Sequence, residues 1–186
     1  MRRIGNDTEK RHCSLFATDA GWGGVVASGA GLLDVELPFG GLGREEMRAE
    51  ILRRWPAAVE ESALTKRAAD MLARYCAGER VSFDLPVDEE RFTPFQRKVY
   101  RVVRGIGYGE TLSYAGVAAL AGSPGAARGV GSAMAHNPLP VIIPCHRVVA
   151  ANGAMTGYSG PGGIASKQRL LSMEGVPLTS SGRVGR

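Results

Sequence analysis

The chain has 186 residues, 44% of them hydrophobic and 22% charged, enough to bury a core in one medium or two small domains and too apolar for a chain disordered throughout. Its net charge of +5 is uneven: residues 1–90 hold 12 Lys/Arg against 16 Asp/Glu, and residues 91–186 hold 11 against 2. A half at −4 beside a half at +9 points to a polyanion partner for the second half, against the plainer reading of a solubility bias.

No apolar run approaches the ~20 residues of a membrane span. The start, MRRIGNDTEKRHC, has no apolar stretch after its basic residues, so it does not read as a secretory signal. A cytoplasmic protein with no membrane partner is expected, with the first dozen residues as a loose tail. Three widely spaced cysteines, Cys13, Cys76 and Cys145, argue against a disulfide framework. The first half offers only His12, Cys13 and Cys76 as soft ligands, too few for a closed zinc site, so no metal and no cofactor is expected.

In chain order, residues 14–37 read as strands broken by glycines, a meander. Residues 43–55 and 59–78 read as helices, the second with Leu64, Ala68, Met71, Leu72 and Tyr75 at helical spacing and Cys76 as an inert core thiol. Residues 81–88 read as a short strand and linker, and the chain is divided into domains 1–88 and 89–186. A helix then starts with Thr93 as N-cap and Pro94 at N1, and Phe95, Val99, Val102, Val103 and Ile106 form its apolar stripe. Ser113 is placed to cap a helix from Tyr114 to about Ala121. Ser123 is placed to cap another that starts at Pro124 and runs through about Asn137. Two short helices joined by a glycine-containing turn make a helix-turn-helix candidate. The second of these is built of Gly, Ala, Ser and Val, with Arg128 its one long side chain. Such smoothness suits close helix packing, or a helix pressed into a DNA groove with Ala126 and Ala127 at its face and Arg128 as wedge or phosphate contact.

The segment NPLPVIIPCHRVV, residues 137–149, sets a thiol, an imidazole and a guanidinium in succession at the end of what reads as a buried strand. A lone cysteine is usually a small buried hydrophobe. Beside a histidine and a fixed positive charge, Cys145 is also a candidate nucleophile whose proton leaves near neutral pH. Neighbouring side chains on a strand point to opposite faces, so His146 would reach the thiol only at a bend or through a water.

IPCHRVV (143–149) resembles the active-site signature of the O6-alkylguanine-DNA alkyltransferases, the methylated-DNA–protein-cysteine methyltransferases. The resemblance runs through residues 92–175, including TPFQRKVYRVVRGIGYGETLSYAGVAALAGSPGAARGVGSAMAHNPLPVIIPCHRVV and GYSGPGGIASKQRLLSMEG. It implies an α/β (α+β) fold: a strand-plus-helix, ribonuclease H-like N-terminal domain, then a mostly helical, winged helix-turn-helix-like DNA-binding domain. It implies a monomer that flips O6-alkylguanine out of double-stranded DNA and transfers the alkyl group irreversibly to its own cysteine, with O4-alkylthymine a further candidate substrate.

On this chain the resemblance implies Cys145 as alkyl acceptor and His146 as the histidine that draws off its proton through a water. Glu174 would hold that histidine, and Asn137 would brace the turn. Tyr114 would rotate the target phosphate and donate toward the guanine ring, and Arg128 would fill the hole left by the flipped base. Arg147 is grouped with the DNA-binding residues, with bracing of the active-site loop as its other reading. The carbonyls of Cys145 and Val148 would accept from the guanine amine. Met134, Met155 and Tyr158 would wall the alkyl pocket, and the backbone of Ser159 would face the guanine oxygen. Two alternatives stay open: a DNA-binding module without catalysis, against which the presence of Cys145 argues, and a thiol hydrolase using Cys145 and His146.

Overall fold

Three strands open the chain in the computed structural model, which describes residues 10–155 and 162–185. Strands β1 (His12–Thr18), β2 (Gly21–Ala27) and β3 (Leu32–Glu36) form an antiparallel meander in that order, as their glycine-broken pattern predicts. β1 begins inside the stretch read as a loose tail, because Cys13 N donates to Glu60 O and His12 bridges Glu60.

Both faces of this sheet are covered. Helix α1 (Arg44–Arg54) sets Met47 and Ile51 against Cys13, Val26 and Leu33. Helix α2 (Ala63–Cys76) takes the opposite face, where Ser14 Oγ donates to Thr65 Oγ1 at 2.9 Å. Glycines at the middle of β2 make room for this: a Cβ at Gly24 would lie 2.2 Å from Ile51 Cδ1, and one at Gly23 would lie 2.3 Å from the Phe16 ring. α2 is shorter than the sequence pattern predicts. Ser62 caps it by accepting from Thr65 N, while Glu60 is held by β1. Cys76 ends α2 half-buried rather than in the core. Residues 81–88 form no strand beyond a single parallel bridge between Leu32 and Val87.

By internal contacts the chain divides into two units, Met1–Asp88 and Glu89–Arg186. The second is mostly helical. α3 (Pro94–Arg104) starts at a reciprocal cap, Thr93 Oγ1 accepting from Gln96 N and Gln96 Oε1 accepting from Thr93 N, with Pro94 at the first helical position. Its buried stripe includes Val99, Tyr100 and Val103, and the Tyr100 hydroxyl donates to Ala133 O at 2.9 Å. α4 (Tyr114–Leu120) is capped by Ser113, which accepts from Gly116 N.

α5 (Ala127–Ala135) starts three residues later than the Ser123–Pro124 signal predicts. Gly125 has φ +91, outside the right-handed helix, so residues 121–126 form the turn and no side chain caps α5. A two-residue parallel pair, β4 (Leu112–Ser113) with β5 (Val148–Val149), ties α4 to the segment carrying the cysteine. α6 (Gly163–Met173) follows. Among the described residues, no helix is long and apolar enough to cross a membrane.

Candidate active site

The expected buried strand before Cys145 is a turn. Pro138, Pro140 and Pro144 have no N–H to give a ladder. Val141 sits at φ 73, a region that a β-branched residue enters only when its surroundings hold it there. What holds it is in part Asn137. Its Nδ2 donates to Ile143 O (2.8 Å), its Oδ1 accepts from Leu139 N (3.0 Å), and Ile143 N donates to Leu139 O (2.7 Å). Cys145 therefore opens a 3-10 turn, Cys145–Arg147, which Val148 N closes by donating to Cys145 O as β5 begins. The bend that the sequence requires for His146 and Cys145 to cooperate is present.

All three residues of this turn are buried, and His146 is completely so. The Glu174 carboxylate, at the C-terminal end of α6, closes the cluster: Oε1 accepts from His146 Nε2 at 2.9 Å and from Arg147 Nη2 at 2.8 Å. Oε2 accepts from Arg147 Nε at 2.8 Å and from Gly109 N at 3.1 Å. Gly109 has φ +78, and a Cβ there would stand 2.9 Å from Glu174 O, so the loop can reach the carboxylate only as glycine.

Arg147 is not presented to solvent as a DNA-binding residue. It is 7% exposed and its guanidinium is committed to Glu174 and, through Nη1, to Ile106 O at 2.6 Å. Bracing, its other reading, is what this geometry describes.

Burial pushes the Cys145 thiol up from its ordinary pKa, opposite to the shift that its basic neighbours in sequence suggest. A hydrogen bond with the Asn137 side chain and the charge of Lys167 work against that rise. Burial likewise pushes His146 down, with the Arg147 and Lys167 charges acting the same way and Glu174 opposing. At neutral pH the resting pair is thus a protonated thiol beside a neutral imidazole.

Lys167 escaped the sequence reading. It is 1% exposed, its ammonium donates to Val148 O, and it lies 5.7 Å over the Tyr114 ring. Desolvation brings its pKa down to about 8, and Cys145, where it ionises, opposes that fall. The available signal was a lysine three and four residues before the buried Leu170 and Leu171, on the inner face of α6.

The structure places Tyr114 at the first residue of α4, half-buried, and Arg128 in the first turn of α5, exposed. Ala126 and Ala127 lie half-buried at the start of α5. Close packing accounts for Gly129, whose added Cβ would lie 3.3 Å from the Phe95 ring, but not for Gly131, which faces open space. Met134 is buried on α5. Met155, expected to wall the alkyl pocket, is buried in a cluster with Val149, Leu171 and Val176. Tyr158 and Ser159 lie outside the described residues. Among the described residues no three of His, Cys, Asp and Glu are grouped as metal ligands.

A mixed α/β chain whose helical unit carries a buried thiol–imidazole–carboxylate cluster is the class that fold and site define. Residues 94–176 match the family model described as the DNA-binding domain of 6-O-methylguanine DNA methyltransferase. A methylated-DNA–protein-cysteine methyltransferase of Mycolicibacterium paratuberculosis is 49% identical over 107 residues, 58% of this chain and 63% of that protein. The crystal structure of the Mycobacterium tuberculosis O6-methylguanine methyltransferase is 36% identical with a TM-score of 0.69, over 88% of this chain and 92% of that one. That of Mycobacterium tuberculosis OGT in complex with DNA is 35% identical with a TM-score of 0.70, over 88% and 93%. The chain belongs to the methylated-DNA–protein-cysteine methyltransferase family. Its match to the Mycolicibacterium relative spans 63% of that relative's length.

Proposed function

We propose that the chain repairs alkylated DNA: it binds double-stranded DNA containing O6-alkylguanine, flips that base into the second unit, and moves the alkyl group onto Cys145. The observation that carries this reading is the buried Cys145–His146–Glu174 cluster, which lies within the segment matching the family's DNA-binding domain. On this reading the first unit is ribonuclease H-like, and α4 and α5 are the helix-turn-helix of a winged DNA-binding domain. The protein acts as a cytoplasmic monomer.

A base inside a duplex cannot present its alkyl carbon to a buried sulfur, so it must leave the stack. Arg128, exposed on a helix of small residues, fills the gap, with Ala126 and Ala127 against the groove. Tyr114 turns the target phosphate. Met134 walls the alkyl pocket, together with Tyr158, while the backbones of Cys145, Val148 and Ser159 read the guanine. Met155, buried among Val149, Leu171 and Val176, is a third wall residue on this reading.

The resting thiol holds its proton, so attack needs an acceptor at that moment. Nε2 of His146 is engaged by Glu174, which leaves the buried Nδ1 to take the proton, through a water. The S–C bond forms as the C–O6 bond breaks, and the guanine takes up one proton, with Tyr114 donating toward its ring, which balances the proton that left the thiol. The product is a thioether, which a thiol–imidazole site does not hydrolyse, so each chain reacts once. O4-alkylthymine has the same alkyl–oxygen linkage and is a second substrate on this reading.

Intact-mass analysis after incubation with a duplex carrying one O6-methylguanine tests the assignment. The protein should gain one methyl in place of one hydrogen, mapped to the Cys145 peptide, with guanine restored in the DNA. Unchanged protein mass beside unrepaired DNA would reject it.

A further inference from the structure

The Glu174 carboxylate has two cationic or cationisable neighbours where one would hold a catalytic histidine. Arg147 meets it with two parallel hydrogen bonds, and His146 shares Oε1 with the same guanidinium. A buried carboxylate whose charge is met in this way has no electrostatic need of a second cation. It can still orient the imidazole by accepting from Nε2. The tautomer follows: with the Nε2 proton given to Glu174, Nδ1 carries the lone pair.

We propose that Arg147 is a positioning residue for alkyl transfer: by neutralising Glu174 it keeps His146 a neutral imidazole with its acceptor nitrogen available to the thiol proton. This rests on the alkyl-transfer reading above and adds to it the residue that sets the charge of the relay.

The loop before α4 serves the same end. Ile106 O accepts from Nη1 of Arg147, Gly109 N donates to Glu174 Oε2, and the Tyr108 hydroxyl donates to Met173 O, one residue from the carboxylate. The Tyr108 ring also lies 5.9 Å under the guanidinium. The guanidinium is thus fixed from three sides, as an ordering device must be. The charged and titratable groups around His146 are Glu174 from the end of α6, Arg147 from its own turn, Lys167 from within α6 and the neighbouring Cys145 thiol. Burial is the largest influence holding His146 neutral, Glu174 opposes it, and Arg147 and Lys167 reinforce it. Without Arg147 the buried carboxylate would be balanced most readily by a second proton on His146, and an imidazolium cannot accept the thiol proton.

The test combines two readouts. Nitrogen NMR of His146 in the unalkylated protein reports tautomer and charge without reference to activity. Single-turnover methyl transfer across the pH range where imidazole titrates reports the relay. In the wild type, His146 should be neutral at pH 7 with its proton on Nε2, and an imidazolium there would overturn the proposal whatever any variant does. In Arg147→Met, His146 should titrate higher by about one unit or more, and the acid limb of the rate profile should move up with it. Arg147→Lys should keep the wild-type limb and lose rate, because the charge remains and the two-pronged geometry does not. Arg147→Met with Glu174→Gln should return the limb toward the wild-type position, since both buried charges are gone. A profile that falls in height without moving, with His146 still neutral in Arg147→Met, would make Arg147 a fold element only. Failure of the wild type to transfer methyl while the NMR result holds would reject the alkyl-transfer reading and leave the charge arrangement standing.

Discussion

Cys13 in the first unit and Cys145 in the second are both buried thiols, 3% and 4% exposed, and burial pushes both up from the ordinary thiol range. Their polar partners differ: at Cys13 the Arg48 charge favours the thiolate and the Glu61 charge opposes it, whereas at Cys145 the polar neighbours all favour the thiolate. Cys13 Sγ donates to Ala58 O at 2.8 Å, a bond that exists only while the proton stays. Its side chain otherwise packs among Val26, Leu33, Met47 and Ile51. Cys145 has the Asn137 amide and the Lys167 ammonium nearby, both of which favour the thiolate, and a neutral imidazole next in the chain. Burial by itself therefore does not separate an inert thiol from a reactive one. The neighbours that stabilise one protonation state do.

The largest expected break in that comparison is replacement of the two cysteines. Cys145→Ala should abolish methyl transfer while leaving DNA binding largely intact. Cys13→Ala should transfer at the wild-type rate and lose about 1–2 kcal/mol of stability with its hydrogen bond and packing. Mass analysis and chemical denaturation separate the two. Transfer by Cys145→Ala, or its loss in Cys13→Ala, would reverse the assignment.

Glu174→Gln comes next. It leaves Arg147 buried without its counter-charge, and breaking a buried pair from one side typically costs about 3–5 kcal/mol. Transfer should slow as well, because His146 Nε2 then meets a neutral amide in place of the carboxylate. A variant of unchanged stability and unchanged rate would show that the carboxylate does neither job.

Lys167→Met should have the smallest effect and the most specific signature. Removing the cation that favours the thiolate raises the Cys145 pKa further, so transfer should slow at neutral pH and recover as pH rises. The stability sign is opposite to that of a surface lysine. The folded pKa of about 8 lies below the ordinary 10.5, so the unfolded chain holds more protons between those values. Lys167 therefore destabilises the fold below about pH 8, and that penalty is relieved as pH rises towards 10.5. Lys167→Met should lack this rise. Identical stability–pH curves for variant and wild type in that window would contradict the buried, partnered ammonium.

Local pattern determined a good deal of this protein. The start of α3 was legible because its cap is chemical and contiguous: Thr93 and Pro94 carry their own instructions. The meander was legible from short apolar runs set off by glycines. That a thiol and an imidazole are neighbours was legible because Cys145 and His146 are adjacent, and the kinship of residues 92–175 because the motifs are long.

Tertiary structure decided the rest. The helix at Ser123–Pro124 had a sound local signal, yet Gly125 turned the chain and α5 began at Ala127. The apolar run before Cys145 had strand composition, but its prolines and Asn137 made it a turn. Arg147 looked like a cation for DNA and is spent on a carboxylate 27 residues away. Lys167 looked like any helical lysine and is buried against Val148 O. The thiol and imidazole shifts follow from exclusion of water, which depends on everything packed around residues 145–147. Charge and hydrogen-bonding type are properties of a residue and can be read from its letter. Whether water or a distant partner satisfies them is a property of the folded chain.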